Sequence, residues 1–188
     1  MEMDVALQSV ASGITYEDYC KLDDGNRYEL IGGELYVVPS PSAIHQNVFI
    51  ALAATLYHFV LENQLGRVFT APLDVYLTPK DLVQPDIIFI SRERTDIIAE
   101  QNIQGAPDLV VEILSPSTAA RDRTLKKELY ARHGVRELWI IHPLAQTVEV
   151  YRPIAVGFGD PIFYDRRGGV TVTSPLLPGL ELDLNKIF

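Results

Sequence analysis

The chain has 188 residues, 47% hydrophobic and 22% charged, which suits one domain with a buried core and leaves no low-complexity tract to suggest disorder. A net charge of −9 and a pI near 4.8 argue against a broad, non-specific coat for nucleic acid. No apolar run approaches the roughly 20 residues that span a bilayer, so no membrane is expected.

Met1 to Ala6 carry acids where a signal peptide carries bases, so export is not expected. The single cysteine, Cys20, allows no internal disulfide and suits a reducing cytoplasm; it reads as a half-buried residue of a short helix. The charge is uneven along the chain. Residues 1–34 hold eight acids and two bases, whereas residues 115–136 hold six bases against Asp122 and Glu128. A solvated helix face and a functional basic segment both fit that second cluster.

Residues 1–14 read as a loose N-terminus. Thr15-Tyr16-Glu17-Asp18 has the spacing of a capping box and predicts a short helix to about Leu22. Arg27–Ile31 and Glu34–Val38 flank Gly32-Gly33, a hairpin signal. That pairing puts Tyr28, Leu30, Leu35 and Val37 on a dry face, and Glu29 opposite Tyr36 on a face carrying acids. After Pro39-Ser40-Pro41-Ser42, a long helix is predicted from Ile44, Val48, Leu52, Leu56 and Phe59, with Phe49, Ala53 and Leu61 widening its stripe. Gly66 is its expected stop. His45 falls in the first turn of this helix, where a local hydrogen-bonding role and a functional one are both open.

Val68–Thr70 and Leu73–Leu77 are strand-like. Thr78-Pro79-Lys80-Asp81 then turns the chain towards Gln84-Pro85-Asp86 and the apolar strand Ile87–Ile90. Asp86 is either a turn residue or a carboxylate at the strand's mouth. Residues 91–106 are polar and read as a surface connection. The run from Pro107 to Leu114 reads as a fully buried strand interrupted by one carboxylate, Glu112. A charged acid there costs several kcal/mol unless a partner answers it.

Ser115-Pro116-Ser117-Thr118 starts a helix, with Ser or Thr as cap, that runs to about His133 before Gly134. Asp122, Lys126 and Tyr130 stand at i, i+4 and i+8 and share a stripe. Lys127, about 100° round the axis, reads as solvated. Glu137–Ile141 is the next buried strand, with Trp139 in the core, and completes a right-handed strand-helix-strand unit. Thr147–Arg152, Ile162–Arg166 and Val170–Thr173, with Arg167-Gly168-Gly169 as a hairpin turn, form an antiparallel extension. The alternating Leu180–Leu184 adds a last strand. The expected division is therefore a helix and hairpin over 15–40, a core over 41–143 and an extension over 144–188, all in one domain.

Two neighbouring buried strands each bring one carboxylate, Asp86 and Glu112, and the following helix brings a lysine. Two carboxylates with water suit Mg2+ or Mn2+, hard cations that take oxygen ligands and lower the pKa of bound water. Other chemistries fit worse. The chain has no phosphate loop and no Gly-x-Gly-x-x-Gly after a strand. It has no Gly-x-Ser-x-Gly elbow, and its four histidines (45, 58, 133 and 142) make no HExxH pair.

The Pro85-Asp86 pair, the Val111-Glu112-Ile113-Leu114 strand and the helix with Lys126 resemble the PD-(D/E)XK restriction-endonuclease-like nucleases. The run from Pro107 to Pro143 resembles more closely a family of small bacterial endonuclease-like proteins of formerly unknown function. Its members carry Val-Glu-Ile-Leu-Ser-Pro-Ser, then Asp, Lys and Tyr spaced by four, then Gly-Val and an aromatic strand. Arg27-Tyr28-Glu29-Leu30-Ile31-Gly32-Gly33-Glu34 and the proline-rich loop into His45 agree with it upstream. The resemblance implies a mixed α/β fold with an αβββαβ core, an N-terminal hairpin and a C-terminal antiparallel extension. It implies metal-dependent hydrolysis of DNA phosphodiester bonds by a homodimer, with RNA or branched DNA as other targets. By position it makes Asp86, Glu112 and the Ile113 carbonyl ligands of Mg2+ or Mn2+, and Lys126 the catalytic lysine. Glu29, His45, Asp122 and Tyr130 become supporting residues. One departure stands out: the general motif has lysine two residues after the Glu, where this chain has Leu114. A non-catalytic nuclease-fold module that binds nucleic acid or serves assembly is the alternative.

Overall fold

Among the described residues the strands sort into two six-stranded sheets and a two-stranded one, and the candidate site lies between the two larger sheets. The protein, seen here as a computed structural model, is described over residues 8–188. The expected loose N-terminus therefore falls partly outside the described residues. Of the rest of it, Ala11–Ser12 is not loose but forms a short strand, β1. The capping box at Thr15 is present and opens α1 (Tyr16–Tyr19), a single turn shorter than expected. Cys20 caps that turn and is exposed, not half-buried. The chain continues through the hairpin β2 (Tyr28–Ile31) and β3 (Glu34–Val37), the long α2 (Ala43–Glu62), β4 (Gly66–Thr70) and β5 (Val75–Thr78). Next come β6 (Asp81–Val83), β7 (Ile87–Ser91), a 3-10 turn at Arg92–Ile97, β8 (Ile103–Gln104) and β9 (Leu109–Ile113). The following helix has three parts: α3 (Ala119–Arg121), a π turn (Asp122–Lys126) and α4 (Lys127–Arg132). The chain closes with β10 (Glu137–His142), β11 (Thr147–Tyr151), β12 (Ile162–Asp165), β13 (Val172–Ser174) and β14 (Leu177–Leu182).

The central sheet has the order β12-β11-β10-β9-β7-β4. Only β9 and β10 in it are parallel, joined by the α3–α4 crossover. The second sheet has the order β1-β3-β2-β6-β5-β8. Alternation along β9 assigns the layers. Leu109, Val111 and Ile113 pack with Val48, Leu52 and Leu56 of α2 and with Leu177, Leu180 and Leu182 of β14. Val110 and Leu114 face the other way, towards Leu129 and Tyr130 of α4 and Val75 and Val83 of the second sheet. Glu112 shares that second face.

Several expectations shift. The hairpin register is as read, Glu29 opposite Tyr36 and Leu30 opposite Leu35, but the acid-bearing face is buried as well, because it meets the helix after β9. Ser42 caps α2 by accepting the His45 N–H at 3.2 Å, which turns His45 inward while Ile44 and Leu61 lie outside the stripe, exposed. By length and composition α2 is able to cross a membrane, contrary to the reading that no run is long enough; here its inner face packs on the central sheet. Gly66 does not stop α2, which ends at Asn63; it opens β4 at φ 152°, where a Cβ would come within 2.0 Å of the Ile90 carbonyl oxygen. The strand β6 is unforeseen, since Asp81 reads as part of a turn. Arg167–Gly169 connects β12 to β13, but these do not pair; β11 and β12 extend the central sheet, and β13 pairs with β14.

Asp108, buried just before β9, accepts the Ser91 N–H at 2.8 Å and lies 3.0 Å from Arg94 and 3.2 Å from Arg136. Burial pushes its carboxyl up, but these donors outweigh it and hold its pKa below the ordinary value. A depressed carboxylate contributes stability above its unfolded pKa of about 3.9, and that contribution is lost as pH falls through the folded value. Asp108→Asn should therefore cost about 2–4 kcal/mol at pH 7. Urea denaturation at pH 7, 5 and 3.5 should show the gap to wild type shrinking only below about pH 4. A pH-independent gap would refute the ionic origin.

Candidate active site

Glu112 is answered by two side chains of the crossover helix, Lys126 and Tyr130. Its face of β9 looks onto the turn of helix that carries Lys126, and the ammonium sits 2.7 Å from Glu112 Oε1. The same ammonium is 2.8 Å from Glu29 Oε1 on β2 and 3.6 Å from Asp122 Oδ1. Tyr130, one turn on, donates its hydroxyl to Glu112 Oε1. Glu29, Glu112, Asp122 and Lys126 are all at most 3% exposed. The π turn explains how Asp122, Lys126 and Tyr130 converge. In an α-helix four residues advance about 400°, leaving i and i+4 about 40° apart round the axis, and the wider π turn reduces that offset.

Asp86 stands at the entrance to β7. Its Oδ2 accepts the Ile113 N–H at 2.7 Å and lies 3.3 Å from His45 Nε2. That bond ties the end of β9 to the start of β7, so Asp86 and Glu112 are fixed in one frame. His45 Nδ1 is buried and unpartnered among the described residues. The seven side chains singled out by sequence therefore meet in one neighbourhood. Six of them, Glu29, His45, Asp86, Glu112, Asp122 and Lys126, line a pocket of about 290 Å³. Tyr130 lies behind its wall.

Sequence reasoning missed three contributors. Arg121, 4% exposed, lies 3.5 Å from Glu29 Oε2, with its guanidinium 5.3 Å above the Tyr36 ring. The Gln84 N–H donates to Glu29 Oε1 at 3.0 Å. Arg27 lines the pocket mouth. The basic segment thus divides: Arg121 and Lys126 are buried in the site, while Arg123 forks onto Glu149 at 2.7 Å. Lys127 is not simply solvated, since its ammonium lies 4.8 Å over the Tyr151 ring.

The electrostatics separate the four carboxylates. Burial pushes Glu112 well above the ordinary carboxylate range; Lys126 opposes that, and Asp122, Asp86 and Glu29 add to it. Burial also dominates at Asp122 and raises it. At Glu29 burial is outweighed by Lys126 and Arg121, so its carboxyl ends below the ordinary value. Burial opposes the charged form of Lys126, but Glu112, Glu29 and Asp122 together hold it far above the ordinary lysine value. Burial would lower His45, yet the bond and charge of Asp86 raise it.

Among the described residues no three His, Cys, Asp or Glu side chains form a ready-made cation cage. The donor set nonetheless suits Mg2+, which is commonly held by one or two carboxylates with water completing the shell. Asp86 Oδ1 and Glu112 Oε2 have no hydrogen-bond partner among the described residues, while the sister oxygen of each is occupied. The four pocket carboxylates exceed the two buried cations, Lys126 and Arg121, which leaves negative charge that a dication would neutralise.

A central sheet with a parallel pair, crossed by a helix and bearing carboxylates at neighbouring strands, defines a restriction-endonuclease-like nuclease fold. Residues 15–185 match the Uma2 family, described as "Putative restriction endonuclease", and the chain belongs to that family. Among solved structures it is similar to a putative nuclease belonging to DUF820 from Anabaena variabilis. The two share 25% identity over 93% of this chain and 97% of that chain, with a TM-score of 0.78. No curated protein matches it. The mixed α/β, restriction-endonuclease-like fold is thereby established, and both matches support a nuclease-like function.

Lys126→Met should destabilise the fold by about 3–5 kcal/mol at pH 7, because three buried acids lose their shared partner. The lysine's raised pKa means its contribution is intact below the unfolded value of about 10.4 and lost only at higher pH. Glu112, also raised, loses stability as pH climbs from about 4.3 through its folded value, and removing Lys126 steepens that loss. Melting at pH 7 and pH 5 should show the variant's deficit narrowing in acid. Adding Glu112→Gln to Lys126→Met should recover part of it, as a double-mutant cycle measures. No recovery would mean that the pair is not coupled.

Proposed function

We propose that this chain is a divalent-cation-dependent endonuclease acting on DNA phosphodiester bonds. The carrying observation is the pair of fixed carboxylates, Asp86 and Glu112, each keeping one oxygen free, with a buried ammonium 2.7 Å from Glu112. Asp86, Glu112 and the Ile113 carbonyl would hold Mg2+ or Mn2+. When bound, that ion supplies Lewis-acid polarisation of a phosphoryl oxygen and a lowered pKa for water. Lys126, locked as an ammonium, is a source of positive charge and not a base; it offsets negative charge developing on the phosphate. Glu29, itself paired with Arg121, and Asp122 hold Lys126 in place. Tyr130 fixes one oxygen of Glu112 and leaves the other to face the pocket.

A double-strand cut calls for two such sites, and a second copy is the partner we assign to the outer face of α2. Ile50, Ala54, Tyr57 and Leu61 recur there at four-three-four spacing, exposed, on a helix whose only charged residue is Glu62. Sedimentation equilibrium should give a dimer for wild type and a monomer for Tyr57→Glu; a monomeric wild type would refute this assignment.

The second reading is a non-catalytic nuclease-fold module in the same cellular setting, the cytoplasm. Leu114 favours it, since it fills with packing the position where the general motif has a lysine. Calorimetric titration and plasmid nicking separate the two. Mn2+ should bind wild type and fail to bind the double variant Asp86→Asn, Glu112→Gln; equal binding would sink the cation site. Wild type should nick supercoiled plasmid with Mn2+. Lys126→Ala, assayed below its lowered melting temperature, should not, and Lys127→Ala should. A wild type that binds Mn2+ and DNA but never nicks would favour the module.

A further inference from the structure

Three cations line the pocket, and two are spoken for. Lys126 is bridged between Glu29 and Glu112, and Arg121 pairs with Glu29 and reaches the Val37 carbonyl. Arg27 is the third. Among the described residues its guanidinium has no carboxylate within salt-bridge distance and no hydrogen bond, unlike the other two lining cations. Its backbone is nonetheless fixed. The Arg27 carbonyl accepts the Val38 N–H at 2.9 Å, which closes the open end of the hairpin and sets the side chain at the pocket mouth. Ser115 and Thr118 line the same pocket: Ser115 Oγ lies 3.0 Å from Thr118 Oγ1 and 3.1 Å from Ser117 Oγ, and the Thr118 hydroxyl also serves the Asp122 carboxyl. The Ser115 hydroxyl can turn to another acceptor at little cost.

An anion entering this pocket meets a carboxylate excess that repels it. Arg27 is the one lining cation whose fork is not already committed, and a planar guanidinium matches two phosphate oxygens at once. We infer that Arg27 is the phosphate-gripping residue of the pocket, binding one backbone phosphate of a nucleic acid at the mouth, with Ser115 and Thr118 lining the same pocket. The inference rests on the nucleic-acid reading above and adds a sequence-independent contact, one that sets position and not specificity.

Fluorescence anisotropy of a labelled mixed-sequence DNA duplex, with Ca2+ present and salt varied, tests it. Arg27→Ala should weaken binding about tenfold, equally for unrelated sequences, and lower the salt slope by about one. Arg27→Lys should keep the slope while losing part of the affinity, because an ammonium cannot fork. Arg167→Ala, which removes an exposed arginine paired with Asp165, should change neither. If wild type binds and Arg27→Ala binds with the same affinity and slope, the assignment of Arg27 is overturned while the nucleic-acid reading stands. If wild type does not bind duplex at all, the nucleic-acid reading falls and takes this assignment with it.

Discussion

Burying Glu112 in the middle of the central sheet obliges the chain to bring positive charge to it, and much of the architecture follows from meeting that demand. The charge cannot come from the neighbouring strands β7 and β10, which carry no lysine or arginine. It comes from the crossover helix, and a lysine buried there needs more than one acid to offset its own desolvation. Glu29 on the hairpin and Asp122 one turn earlier supply them. The second sheet is therefore tied to the central one through a charge cluster as well as through apolar packing. A two-layer contact of leucines alone would tolerate some sliding; this one has a fixed register.

The same cluster sets a tension between stability and chemistry. An ammonium held by Glu29, Glu112 and Asp122 is well anchored, yet each anchoring acid adds negative charge that would repel an anion. The arrangement divides the labour. Glu29, pulled down by Lys126 and Arg121, behaves as a permanent structural anion, while Glu112, pushed up by burial, is the carboxylate most responsive to added positive charge. Two acids of one residue type take different roles because their surroundings differ.

Much of the site was legible because its residues break local rules. Glu112 stands out as an acid in an aliphatic run, Asp86 as an acid at the mouth of another, and Asp122, Lys126 and Tyr130 as a polar stripe at helical spacing. The hairpin register followed from period two and Gly32-Gly33. What was illegible was tertiary. Nothing local distinguishes Arg121 from Arg123 or Arg132, since its burial depends on where Glu29 and Tyr36 arrive from far upstream. The acid-bearing face of the hairpin reads as solvated until the helix that covers it is known. Gly66 was taken for a helix stop because the closeness of the Ile90 carbonyl is invisible in sequence, and β6 was lost because an aspartate at its start mimics a turn.

The π turn at Asp122–Lys126 carries a consequence of its own. A helix is a screw, and this one changes pitch in the middle: Arg121 before the turn and Tyr130 after it are aimed by two different threads. Deleting one residue from the α-helical part between the turn and Tyr130 would rotate Tyr130 by about 100°, leaving composition nearly untouched while swinging it away from Glu112. Length along this segment is thus under tighter constraint than residue type.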